Sequence, residues 1–73
     1  MKKYIITDRD DFRLRVLASD CFKPEDSISL DFVREEFDEK GQLLRTSTYN
    51  FFLNTEEIEH LGGCLLSIAK DHQ

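Results

Sequence analysis

At 73 residues, with 40% hydrophobic residues and no Trp, the chain makes one domain at most, little more than one sheet under one helix. Its net charge of −5 counts against a general affinity for DNA or acidic membranes, because non-specific nucleic-acid binding is largely phosphate neutralisation. No apolar run approaches the ~18 residues of a membrane span, and Met1–Ile6 lacks the core and cleavage site of a signal peptide, so a cytoplasmic location is expected.

Lys3 to Thr7 (KYIIT) is short and β-rich, which predicts a first strand at a sheet edge. Asp8 to Asp11 gathers three aspartates, but Phe12 and Arg13 break the spacing of a calcium loop, so the segment reads as a turn. From Arg13 to Ser19 the residues alternate. Leu14, Val16 and Ala18 point one way while Arg13, Arg15, Leu17 and Ser19 point the other, which favours a strand. A helix remains the alternative there, with Phe12, Val16 and Leu17 on one face and Asp11 as its cap. Asp20 to Asp26, containing Pro24, reads as a polar loop.

Ser27 to Phe52 predicts one long β-hairpin that closes on Asp38-Glu39-Lys40-Gly41. A three-residue loop with Gly41 in the left-handed region pairs Phe37 with Leu43 and Glu35 with Arg45. Continued unbroken, that register opposes Leu30 to Asn50. A slip of one residue opposes Leu30 to Tyr49 and Ile28 to Phe51, which suits a buried face better. Both conditions are met if Phe32 and Val33 together face Ser47, so a β-bulge is expected at that point.

The helix start is well marked. Asn54 is a good N-cap, Glu57 completes a capping box, and Leu53 and Ile58 occupy the staple positions. Glu56, Glu57 and Glu59 suit the positive end of the helix dipole and Lys70 the negative end. Ile58, Leu61, Leu65 and Ile68 form an apolar stripe, widened by Cys64 and Leu66, expected to pack on one face of the sheet. Gly62-Gly63 inside this helix costs about 1 kcal/mol per residue relative to Ala. The pair reads as a place where the helix backbone lies close to the sheet or to a second helix, with a kink as the next choice. The expected fold class is therefore α+β: a single domain, residues 1–73, with an antiparallel meander of three to four strands and one C-terminal helix.

Little in the chain suggests chemistry. Cys21 and Cys64 are far apart, and with His60 and His72 they form no close ligand pairs, so no metal, cofactor or disulfide is expected and the cysteines read as reduced packing residues. Ser27, Ser29, Ser47 and Ser67 lack a nucleophile-elbow context, and His60 reads as a solvated residue beside Glu56 and Glu57. The expectation is a non-enzyme. A core this small often needs a partner subunit, which makes a homodimer the expected route to more buried area.

Two binding readings follow. In the first, Val33, Phe37, Leu44 and Phe52 leave the second face of the hairpin apolar where a solvent face would be polar, which suggests a protein-interaction or accessory module. The dispersed acids could steer a basic partner, and the small acidic domain fits an accessory protein of a phage or mobile element. In the second, the strand Val33-Arg34-Glu35-Glu36-Phe37, the acidic Asp38–Gly41 turn and the junction Phe51-Phe52-Leu53-Asn54-Thr55-Glu56-Glu57 resemble the core of the transcriptional positive-coactivator family, whose members bind single-stranded DNA. The likeness covers about half the chain, from Leu30 onward. It implies a dimer packed through its helices, with curved sheets offering cationic and aromatic side chains to nucleic acid. Arg34 and Arg45, with Arg13, Arg15 and Lys40, would then contact phosphates, and Tyr49 and Phe37 would stack on bases. The chain departs from that family after the turn, where a basic stretch is replaced by the largely neutral Gln42 to Asn50. The bland alternative for the arginines is cross-strand ion pairing.

Overall fold

The structure is a computed structural model that describes residues 1–21 and 27–73. Its elements are β1 (Lys2–Asp8), β2 (Phe12–Cys21), β3 (Ser27–Phe37), β4 (Leu43–Asn54) and α1 (Thr55–Asp71). The strands form one antiparallel sheet in the order β1-β2-β3-β4, so the fold is an α+β meander followed by a helix. The alternating 12–19 segment is a strand throughout, and the 22–26 part of the expected polar loop lies outside the described residues.

Register assigns the faces. Ile28, Leu30 and Phe32 of β3 pair with Leu53, Phe51 and Tyr49 of β4, and on the other side Leu30 and Phe32 meet Ala18 and Val16 of β2. With Leu14 and Tyr4 these residues make one apolar face. Phe32 and Phe51 meet edge to face, with ring centroids 5.9 Å apart. The opposite face carries Arg13, Arg15, Ser19, Ser29, Asp31, Glu35, Thr46, Thr48 and Asn50, with Ile5, Leu17, Val33 and Phe52 among them.

The hairpin turn forms as its sequence dictates. The Asp38 amide donates to the Gln42 carbonyl (2.9 Å) and Gly41 sits at φ 79. The Asp38 carboxylate accepts from the amides of Lys40 and Gln42 at 2.9 and 2.8 Å. Phe37 pairs with Leu43.

The bulge expected opposite Ser47 is absent. Pairing runs continuously through Phe32–Tyr49, Val33–Thr48 and Arg34–Ser47, and the register shift lies between Glu36 and Phe37, where Leu44 is the additional residue on β4. The slip is thus opposite in direction to the one expected, and Leu30 faces Phe51 instead of Tyr49. The physical reason is apolar matching: this register sets three consecutive apolar pairs on one face. It also places Arg45 opposite Glu36 rather than Glu35.

Only Leu30 and Val33 are buried among the described residues, at 7% and 6% exposure. The chain exposes 6213 Å² and measures 43 × 35 × 16 Å with a radius of gyration of 14.6 Å. A compact chain of this length would have a radius near ~11 Å. The molecule is a plate with a helix attached, and its hydrophobic layer is largely open.

Candidate interaction surface

The helix explains the openness. It starts at Thr55, immediately after β4 ends at Asn54, with no linker between them. The Asn54 side chain accepts from the Glu57 amide at 2.8 Å and the Glu57 carboxylate accepts from the Asn54 amide at 2.9 Å, completing the capping box. Launched this directly, the helix does not lay its whole stripe on its own sheet. Ile58 is half-buried, but Leu65, Leu66 and Ile68 are 56–66% exposed. The expected packing therefore holds only for the first half of α1.

Between that first half and the apolar face lies an open groove of about 580 Å³, lined by Phe32, Tyr49, Phe51, Leu53 and Leu61, with Glu57, His60 and Cys64 on the helix side. Cys64 is a free, exposed thiol. His60 is exposed, as expected, and lines this groove beside Glu57. Gly62 and Gly63 lie in an unbroken helix, and a side chain added at either would meet nothing of this chain within 4 Å. The close approach expected of the glycine pair is not made within the chain.

Of the residues expected on an apolar second face, Val33 and Phe52 share it by register but are separated by the Asp31–Asn50 pair. Val33 is buried between its cross-strand neighbours Arg15 and Thr48, which leaves it little to offer a partner, and Phe37 is half-buried beside the turn with Arg13 5.4 Å above its ring. Leu44 and Phe52 are exposed. The larger apolar surface is instead the face of Tyr4, Tyr49 and Phe51 together with the helix stripe. One signal in the sequence pointed there: Leu53-Asn54-Thr55 joins strand to helix without a Gly or Pro linker.

The candidate arginines Arg13, Arg15, Arg34 and Arg45 are engaged with carboxylates. On the polar face Glu35 lies 3.1 Å from Arg15 Nε and 3.7 Å from Arg13, which also reaches Asp8 at 3.4 Å. Arg15 Nε and Glu35 Oε1 are buried facing each other, off the direction of a good hydrogen bond, so they act as an ion pair. At the polar end of the apolar face, Glu36 bridges Arg34 (3.2 Å) and Arg45 (3.0 Å). Arg45 donates to both Glu36 oxygens, and that hydrogen bond, ahead of an opposing desolvation and helped by the charges of Arg45 and Arg34, holds this carboxyl below the usual range. Arg34 also lies 5.7 Å from the Phe12 ring centroid. The candidate phosphate ligands thus fall into two clusters on opposite faces, each containing a glutamate, while Tyr49 lies in the apolar groove. Lys40 sits in the hairpin turn among Asp38 and Glu39.

Among the described residues no group of three or more His, Cys, Asp or Glu is placed to hold a metal ion, and no helix is long and apolar enough to cross a membrane. Fold and surface together define a class, a meander-plus-helix domain with an uncovered apolar layer. No protein-family model, curated protein or solved structure matches the chain.

Proposed function

We propose that the chain is a small non-catalytic binding module that works as a homodimer and engages a further protein through its hairpin. The observation that carries this reading is surface area. A monomer of 8.6 kDa normally exposes about 4,700 Å², so the 6213 Å² seen here is a surplus of roughly 1,500 Å². Doubled across two copies, about 3,000 Å² falls within the range of obligate dimer interfaces. Large apolar residues are exposed on this side of the molecule: Tyr49 and Phe51 at the groove, and Leu65 and Ile68 further along the helix, are each at least half exposed.

The ion pairs weigh against single-stranded nucleic acid as the ligand. A phosphate contact by Arg15 or Arg45 would have to compete with Glu35 or Glu36, at a net charge of −5. Two titrations test the reading. Light scattering at micromolar concentration is expected to return about 17 kDa, twice the chain mass, and labelled oligo(dT) at low salt is expected to show no binding. A monomer mass would overturn the homodimer, and oligo(dT) binding with a steep inverse salt dependence would overturn the choice of ligand.

A further inference from the structure

The two edges of the sheet are built differently. β1 is short, carries Lys2, Lys3 and Asp8, and has a register irregularity between Ile5 and Thr7. These are the devices by which proteins prevent strand-to-strand association. β4 has 12 residues, a single charge at Arg45, no Pro and no Lys, and it is regular beyond Leu44. It is rich in the β-branched and aromatic residues that favour pairing. Among the described residues no strand pairs with its outer side. One edge is protected and the other is not.

We propose that the unprotected edge is the seam of the homodimer: β4 pairs antiparallel with β4 of a second copy, with the two-fold axis at Tyr49. This rests on the homodimeric reading above and specifies how the copies meet. The choice of a second copy follows from closure and area. Pairing β4 with β4 consumes both open edges in one operation and leaves only the protected β1 edges outside. Pairing β4 with β1 would instead propagate an open filament. The register follows from the faces. Side chains alternate along a strand, so the two apolar layers fall on the same side only if residues of equal parity pair. Centring on Tyr49 uses the whole regular run of β4, placing Ser47 opposite the second copy's Phe51 and Arg45 opposite its Leu53. No like charges meet. Tyr49 also lines the groove beside Leu61 and Cys64, so an axis there brings the two helices to the same seam, where the open flank at Gly62-Gly63 lets their backbones approach and the stripes cover each other. Edge pairing and helix contact then share the roughly 1,500 Å² surplus per copy.

Cysteine cross-linking tests this directly. In a Cys21→Ser, Cys64→Ser background shown by light scattering to keep the wild-type mass, Tyr49→Cys is expected to oxidise quantitatively to a covalent dimer. Self-paired residues on the axis lie about 4.5–5.5 Å apart at Cα, within disulfide reach. Thr46→Cys, three residues off the axis, is expected to give none. A mixture of Ser47→Cys and Phe51→Cys chains repeats the test without altering Tyr49. On the polar face, Thr48→Lys is expected to weaken dimerisation about tenfold or more with an unchanged circular dichroism spectrum. A dimer that cross-links through Leu65→Cys but through neither β4 arrangement overturns the seam and leaves the homodimer standing. A monomer overturns both.

Discussion

The centre of the sheet and its β4–α1 margin handle burial in opposite ways. At the centre, Leu30 and Val33 are buried by neighbouring strands on both sides, with Glu35 drawing Arg13 and Arg15 together beside Val33. At the margin, Tyr49, Phe51, Leu65 and Ile68 stay at least half exposed although they are as apolar as anything in the core. The centre is complete within one chain; the margin has the composition of a core and half of its packing. A small domain can leave half a core open when a second subunit supplies the rest.

Substitutions sharpen this contrast. The largest effect is expected at the centre: Leu30→Ala should cost about 2–5 kcal/mol, a large part of what a domain of this size holds, read as a lowered urea midpoint. At the margin, Leu65→Glu with Ile68→Glu should act on association first, raising the dimer dissociation constant roughly thirtyfold or more by sedimentation. Equal losses of monomer stability at both places would break the distinction. Local devices come next. Asn54→Ala removes the acceptor of the capping box and should cost ~1 kcal/mol, loosening the joint from which the helix leaves the sheet. Gly41→Ala forces a side chain into the left-handed region at φ 79, at a cost of about 1–2 kcal/mol by urea titration.

The smallest effect concerns the pair of half-buried Glu36 with exposed Arg45. Its carboxyl is held below the ordinary value of 4.5, chiefly by the hydrogen bond from Arg45. The folded state therefore binds this proton less readily than the unfolded one, and the pair's contribution is present above the ordinary value and lost as pH falls through the lowered one. Glu36→Gln should remove that part of the acid dependence, making the decline of the urea midpoint between pH 7 and pH 3 slightly shallower.

Much of the local structure was legible in the sequence. The alternation from Arg13 to Ser19, the Asp38–Gly41 turn and the Asn54–Glu57 cap are local signals, and each formed where its residues stand. The bulge was not legible. Val33 and Phe37 break the parity of Ile28, Leu30 and Phe32, which invited a shift in the middle of β3. In the structure Val33 is buried on the polar face and Leu44 absorbs the shift beside the turn. Parity cannot distinguish these cases when both faces of a strand hold an apolar residue. The open margin was half legible for a related reason: the stripe from Ile58 to Ile68 reads the same whether its own sheet or another chain covers it. The one local signal that bears on it is the direct joint Leu53-Asn54-Thr55, which has no Gly or Pro linker.

The central claim is that the chain completes its hydrophobic layer only with a second copy, so its stability must depend on its own concentration. Urea unfolding at two protein concentrations a hundredfold apart measures this. A homodimer coupled to folding gains about 2.7 kcal/mol of apparent stability over that range, so the midpoint should rise with concentration. A midpoint that does not move would contradict the account.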